Sequence, residues 1–320
     1  MAEGVTSDYL WFEQSMGYNS YVVSSLLPLF TFAGLTGRGG ALREEMLAAE
    51  NLMLAPVMVR FADGRLPNPA DSTGGVRYAP DERCLAAAYR VFPTAAGLRR
   101  IAGERNWGTL LDPPPAAPAE AVLPEVRSAS LESSRMAVLR SGEWQVFFHY
   151  GQLNASHAQA EALNFEVMYG RVPVSHDPGT VGYGSPLHTG YYRKGVAHNV
   201  PLVDGEGQAG WRRGELVSFT PESVEARQER YREGVAASRA LKIEGGRLVD
   251  VVTVKAEGAE KRRLGTALHV QGRLEAAGLE AVEAPLAYWT ETRRAAFEDR
   301  ARLLARFEGL TLEVVIEVAG

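Results

Sequence analysis

The chain has 320 residues, 46% hydrophobic and 23% charged, which is ordinary globular composition and enough for one large domain or two ordinary ones. Its 34 basic and 39 acidic residues give a net charge of -5, and no basic run or basic–aromatic alternation stands out, so a nucleic-acid partner is not expected. A single cysteine, Cys84, excludes an intrachain disulfide; beside Leu85, Ala88 and Tyr89 it reads as a small core residue.

The first residues, Met1 to Asp8, hold no basic segment followed by an apolar run, so no signal peptide is expected there. The apolar stretches are too short and interrupted for a membrane span. Tyr18, Tyr21, Val22, Ser25, Leu26, Leu29 and Phe30 recur at helical spacing, and Pro28 should kink or reposition that helix. Leu42, Met46, Ala49 and Met53 mark a second helix that ends before Pro56. Phe61 to Ala79 is rich in Gly, Pro, Asp and Asn and reads as a long loop. Cys84, Leu85, Ala88, Tyr89 and Phe92 predict a third helix. Thr94 caps a fourth, with Leu98, Ile101 and Ala102 facing in.

Asp112-Pro-Pro-Pro-Ala-Ala-Pro118 is a stiff linker, and past it the apolar period changes to two. Met136–Leu139 and Trp144–Phe148 read as strands joined by the Ser141-Gly142 turn. Strands are also expected at Phe165–Tyr169, Val200–Val203, Leu248–Val254, Leu264–Val270 and Leu310–Val318. Arg293 to Phe307 reads as one helix, with Ala296, Leu303 and Phe307 among its apolar positions. No internal repeat is visible. The fold class is α+β: a helical region at 1–111, a proline-rich linker at 112–125 and an antiparallel β-sandwich at 126–320.

The densest polar chemistry lies between His157 and Gln208. It reads His157-Ala-Gln159-Ala-Glu161-Ala-Leu-Asn164-Phe165, then Asp177-Pro-Gly-Thr180, Ala197-His198-Asn199 and Val203-Asp204-Gly205. Each cluster follows a short apolar strand and is itself followed by a Gly or Pro turn. That pattern suits polar groups presented at the ends of rigid strands.

This stretch resembles heparinase II/III-like polysaccharide lyases, where the corresponding region reads His-x-His-x-Asp, Asp-x-Gly and Ala-His-Asn. Trp11-Phe-Glu13-Gln-Ser15-Met-Gly17-Tyr18 looks like that family's acidic–aromatic helix motif. Leu66-Pro67-Asn68 with Asp71-Ser72 looks like its leucine-proline…aspartate-serine loop. Ser238-Arg239-Ala-Leu241 and Leu268-His269-Val-Gln-Gly272 match later sandwich strands. The ordered series is specific where each motif alone would not be. The resemblance implies an α/α toroid joined to a sandwich. The helices before the linker are too few to close a toroid, and the family's Asn-His motif has no counterpart ahead of Asp8, so the chain is expected to correspond to the C-terminal portion of such an enzyme.

The resemblance also implies β-elimination on a uronate glycoside. That reaction needs the sugar carboxylate neutralised, a base for the adjacent proton and an acid for the departing oxygen. The base and acid fall to Tyr18 and His157; the alternatives are a core aromatic on an amphipathic helix and a surface histidine. Substrate contacts fall to Glu13, Asn164, Tyr183, Tyr192 and Arg193. Arg193 is suited to pairing with a carboxylate, or else forms a surface salt bridge. Tyr183, Tyr191 and Tyr192 suit sugar stacking or packing. The family's structural zinc would map to Gln159, Asp177 and His198, with Glu161 and Asn199 supporting them. A carboxamide is a poor zinc ligand, so a metal-free hydrogen-bond network among the same three residues stands as the alternative. The expected partner is an anionic polysaccharide or oligosaccharide such as alginate or a glycosaminoglycan. The rival readings are a non-catalytic glycan-binding relative and a truncated fragment that folds poorly alone. The family is mostly periplasmic or secreted.

Overall fold

In a computed structural model of the chain, residues 3–72, 88, 91–92, 125–258, 261–284 and 289–318 are described. Cys84, most of the expected third helix, the fourth helix and the proline-rich linker lie outside them.

Helix α1 (Met16–Leu35) contains Pro28 and continues through it. Helix α2 (Arg43–Leu54) ends just before Pro56, which opens the short α3 (Pro56–Val59). Proline is tolerated there because the first helical N–H has no intrahelical acceptor in any case. Val23, Leu27 and Phe30 of α1 pack on Ala49, Leu52 and Met53 of α2, with Ala88 and Phe92 closing the cluster.

Strands β1 (Ala129–Leu131), β2 (Met136–Ser141), β3 (Trp144–His149), β4 (Asn164–Tyr169) and β5 (Val172–Ser175) form one antiparallel sheet in sequence order. Its neighbours in chain order are β6 (Pro201–Val203), β7 (Glu215–Thr220), β8 (Ser223–Arg232), β9 (Val235–Glu244) and β10 (Arg247–Ala256). The last four make a second antiparallel sheet, β10-β9-β8-β7. Leu139, Val146, Phe148, Phe165 and Val167 face Val224, Ala226, Leu241 and Ile243 across the interior, so the two sheets form a sandwich.

The first sheet is buried on both faces. Met136, Val138, Phe147 and Met168 point the other way and pack on Leu10, Met16, Ala55, Val59 and Phe61 of the N-terminal segment. Adjacent residues on a strand face opposite sides, so β2 to β4 need apolar side chains at nearly every position. The helical segment thereby lies directly on the sandwich. Polar ties fix it there: Gln14 Nε2 donates to the carbonyls of Ser134 (2.8 Å) and Gly151 (2.9 Å), and the Asp8 carboxylate accepts from Ser134 N (2.9 Å).

The remaining strands are β11 (Leu264–Thr266), β12 (Arg273–Glu275), β13 (Glu280–Ala281), β14 (Arg293–Arg294), β15 (Arg300–Phe307) and β16 (Leu310–Glu317). Two expectations are corrected here. The strand expected over Leu264–Val270 is only β11, paired with β6; beyond it the chain turns in, and His269 N donates to Asn199 Oδ1 at 2.5 Å. The helix expected over Arg293–Phe307 is β14 and β15 instead. Ala301, Leu303, Ala305 and Phe307 fall on one face of a strand, and β15 pairs along its whole length with β16. Arg302–Glu313 (3.0 Å) and Arg300–Glu317 (2.8 Å) pair across that hairpin. Strand pairing with a strongly β-forming partner overrides the helix propensity of Ala, Arg and Leu.

Candidate active site

His157 stands in the loop between β3 and β4, in the left-handed region at φ 56°, an uncommon conformation for a residue with a side chain. Its Nδ1 lies 3.0 Å from Asp71 Oδ2, 2.9 Å from the Tyr183 hydroxyl and 3.1 Å from the Tyr18 hydroxyl. The two hydroxyls are 3.5 Å apart. Tyr18 comes from the first turn of α1, Asp71 from the loop after α3, and His157 and Tyr183 from the sandwich. One imidazole, two phenols and one carboxylate therefore meet where the N-terminal segment crosses the strand ends.

One ring nitrogen cannot bond fully to three groups. A carboxylate only accepts, so the Asp71 contact requires a proton on Nδ1. Both phenols are held above their ordinary pKa. For Tyr18 the causes are burial, then the charges of Asp71 and Glu13, against a lowering hydrogen bond from Tyr183. For Tyr183 they are desolvation, then Tyr18 and Asp71. Both phenols thus keep their protons at neutral pH and are set up as donors. Glu13 Oε1 is 3.8 Å from His157 Nε2, beyond hydrogen-bond length. Its oxygens accept from Trp11 Nε1 (3.0 Å) and Ser156 Oγ (2.8 Å).

The loop carrying Asp71 is pinned along its length. Asn68 N donates to Glu166 Oε1 (2.6 Å), Asn68 Nδ2 to the Asp177 carbonyl (3.0 Å) and Ala70 N to Glu161 Oε1 (2.7 Å). Ser72 Oγ reaches Ser15 Oγ at 3.0 Å. Gly179 opposes this loop with φ 61°, and a Cβ there would sit 2.2 Å from Asn68 Nδ2. Only glycine satisfies both the backbone angle and the approach. Asp71 is a site residue that sequence spacing does not single out. Its motif was visible, but its partner is 86 positions away in sequence.

Asn164 is buried; its Nδ2 donates to Asp177 Oδ2 (2.6 Å) and its Oδ1 accepts from Asn199 N (2.9 Å). Tyr183 is 60% exposed, and its ring meets His188 edge-on at 4.9 Å. Tyr192 meets Tyr191 edge-on, and its carbonyl accepts from His198 Nε2 at 2.8 Å. Arg193 Nη2 reaches the Ala158 carbonyl at 3.3 Å, next to His157, with the guanidinium 5.8 Å from the Trp211 ring centre.

Behind this cluster lie three acid–imidazole contacts, His198–Asp177 at 2.6 Å and His149–Glu161 at 3.5 Å, both buried, and His176–Glu166 at 2.5 Å, where the imidazole is half-buried. Burial alone would depress His198, yet Asp177 and Glu161 outweigh it and lift its pKa to about 9. Both its nitrogens face acceptors, Asp177 Oδ2 and the Tyr192 carbonyl, which fits an imidazolium. Burial raises Glu166, while its carboxylate raises His176 against desolvation.

Glu161, Asp177 and His198 each offer a ligand atom within 4.8 Å of the others, all buried. Glu161 Oε2 has no hydrogen-bond partner among the described residues. Two carboxylates, one imidazole and one unsatisfied oxygen fit a divalent cation. Glu161 thus enters a donor set that the motif comparison assigned to Gln159, Asp177 and His198. Gln159 instead spends its amide nitrogen on Asp71 Oδ1 and the Gly179 carbonyl, each at 3.0 Å.

Among the described residues no helix is long and apolar enough to cross a membrane. No curated protein sequence matches the chain. The solved structure titled "Heparinase III-BT4657 gene product" is 14% identical, with a TM-score of 0.63 over 99% of this chain and 60% of that one. The heparan sulfate lyase HepC from Pedobacter heparinus is 15% identical, with a TM-score of 0.62 over 100% of this chain and 61% of that one. A third structure, titled "Crystal Structure of Heparinase III", is 12% identical with a TM-score of 0.57, covering 99% and 62%. The chain therefore spans about three fifths of the length of the structures it matches. Identities this low show a shared fold. The family model described as "Heparinase II/III-like, C-terminal" matches residues 124–271, the stretch that carries His157, Gln159, Asp177 and His198. Residues 124–271, less than half of the chain, are therefore similar to the C-terminal domain of heparinase II/III-like proteins, and the chain shares its fold with the lyase structures.

Proposed function

We propose that the chain carries the catalytic cluster of a polysaccharide lyase that cleaves uronate-containing anionic glycans by β-elimination. The observation that carries this reading is the 3.1 Å approach of the Tyr18 hydroxyl to His157 Nδ1, with Tyr183 beside both. With Nδ1 protonated toward Asp71, Nε2 holds the lone pair and removes the proton next to the sugar carboxylate. The carbon–oxygen bond to the leaving sugar breaks as the double bond forms. A phenol, Tyr18 or Tyr183, protonates the departing oxygen. Arg193, beside the Ala158 carbonyl, is the cation positioned to neutralise the substrate carboxylate. The division into a helical region at 1–111, a linker at 112–125 and a sandwich at 126–320 belongs to the same reading.

Glu161, Asp177 and His198 would hold a structural zinc ion, which would neutralise the buried carboxylates beneath the loop that carries His157. Gln159 has only its buried Oε1 left to offer such an ion, because its amide nitrogen is committed. Zinc would have to displace a proton from His198, so its affinity falls as pH drops below about 9.

Incubation with heparan sulfate and with alginate oligosaccharides, read by ultraviolet absorbance of the unsaturated uronate product, tests the reading. Product from either substrate supports it. Retention on an immobilised glycan with no product identifies the chain as a binding relative and overturns the catalytic reading.

A further inference from the structure

Gln159 is fully buried, and its amide nitrogen sits between two groups that only accept hydrogen bonds. These are Asp71 Oδ1 and the carbonyl oxygen of Gly179, each at 3.0 Å. The chemistry fixes the direction of the amide: the reverse orientation would set Oε1 against a carboxylate oxygen and a carbonyl oxygen at once. Both amide hydrogens are therefore used. An imidazole bound to a metal through one nitrogen keeps at most one N–H, so a ligating histidine at position 159 could not serve both acceptors.

Asp71 passes this constraint on. Its second oxygen, Oδ2, lies 3.0 Å from His157 Nδ1. The carboxylate is held by the loop bonds from Asn68 and Ala70 and is 8% exposed, so it cannot turn away to water. A lone pair on Nδ1 would face the carboxylate directly. A proton on Nδ1 turns the same contact into a hydrogen bond.

We propose that Gln159 and Asp71 form a relay that sets the tautomer of His157: Gln159 donates to Asp71, Asp71 takes the Nδ1–H of His157, and Nε2 is left as the base. Gln159 is thus a positioning residue of the catalytic histidine rather than a degraded metal ligand. The catalytic consequence rests on the lyase reading; the tautomer itself does not.

The test is a long-range imidazole nitrogen–proton correlation spectrum of the full chain, uniformly labelled with nitrogen-15, at one fixed pH near neutrality. The wild type is expected to show His157 protonated on Nδ1. Asp71→Asn presents an amide N–H to the ring and should move the proton to Nε2. Gln159→Leu keeps the size but removes both donors, so a mixture of tautomers is expected. An Nε2–H tautomer in the wild type overturns the relay without any variant being needed. So does an unchanged Nδ1–H in both folded variants. On an active protein, Gln159→Leu should lower kcat in proportion to the Nδ1–H tautomer lost, about twofold for an even mixture, and leave KM nearly unchanged. A wild type that shows the Nδ1–H tautomer and its response to Asp71→Asn, yet makes no unsaturated product, keeps the relay and removes only the lyase reading.

Discussion

The Tyr18 hydroxyl lies 3.1 Å from His157 Nδ1, across 139 positions of sequence and across the junction between the helical segment and the sandwich. The contact is aromatic as well as polar, with the rings edge-on at 5.1 Å. It exists because the outer face of the first sheet is apolar and seats the N-terminal segment at a fixed height. Tyr18→Phe keeps the ring and loses the hydroxyl, the one group of this side chain that moves a proton. Under the lyase reading, product formation should fall by about 100- to 10,000-fold while the melting temperature stays close to wild type. Tyr183→Phe, at the more exposed phenol, should cost less, since Tyr18 remains in reach of the same nitrogen. Full activity in an active protein carrying Tyr18→Phe would remove Tyr18 from the reaction.

His198 makes stability depend on pH. Its folded-state pKa, about 9, lies above the unfolded value near 6.5, so its stabilising contribution is complete below about pH 6.5 and is lost as pH rises through about 9. At about 1.4 kcal/mol per pKa unit, the contribution is on the order of 3 kcal/mol. Metal-free protein, prepared with a chelator, should therefore melt lower at pH 9.5 than at pH 6.5. His198→Asn should be less stable than wild type at pH 6.5 and nearly equal to it at pH 9.5. Thermal melts of both proteins across that range check this. A wild-type melting temperature that rises across the interval contradicts the assignment.

The sandwich was legible because its strands alternate. The two-residue period of β8 and β9 buries one face, and the apolar runs of β2 and β3 bury two. Arg300 to Phe307 was misread because Ala, Leu and Arg suit a helix, and only the partner strand β16 decides otherwise. In the site, motif order pointed to Tyr18 and His157, and folding brings them together. Asp71 and Glu161 were harder to see. The role of Asp71 comes from a loop that crosses 86 positions to reach His157, and that of Glu161 from an unpartnered oxygen inside the sandwich. Neither distance nor satisfaction of a buried atom is written in local spacing.

Arg239 is the principal buried cation of the sandwich, and its removal should be expensive. It is fully buried on β9, pairs with both oxygens of Asp250 (2.7 and 2.8 Å) and lies 4.4 Å over the Phe165 ring. Its Nη1 donates to the Leu163 carbonyl at 2.7 Å and to the Asn199 carbonyl. These carbonyls flank Asn164 and His198, so the guanidinium ties together the two segments that hold Asp177. Arg239→Met fills the volume but strands both carbonyls and Asp250. A loss of about 3–5 kcal/mol is expected in urea unfolding. Arg239→Lys should recover only part of it, because an ammonium cannot fork to two carboxylate oxygens and two carbonyls together. A loss under about 1 kcal/mol for Arg239→Met would mean that water replaces the guanidinium.

The metal prediction separates Glu161 from Gln159. If Glu161, Asp177 and His198 hold zinc, adding zinc to the chelated protein should raise the melting temperature. A free concentration 100 times the dissociation constant corresponds to about 2.7 kcal/mol of stabilisation. Glu161→Gln removes the carboxylate whose Oε2 lacks a partner, and should abolish most of that response while leaving an amide to accept from Ala70 N. Gln159→His adds an imidazole, the better zinc donor, and should strengthen binding if the added ring can reach the ion. It should also release Asp71, because one ring N–H cannot replace the two amide hydrogens now given to Asp71 and Gly179. Elemental analysis and zinc titration of the three proteins decide the matter. Equal zinc content in wild type and Glu161→Gln would place the ion elsewhere. Tighter zinc in Gln159→His, with His157 no longer protonated on Nδ1, would show that the side chain at position 159 can serve either the ion or Asp71, but not both.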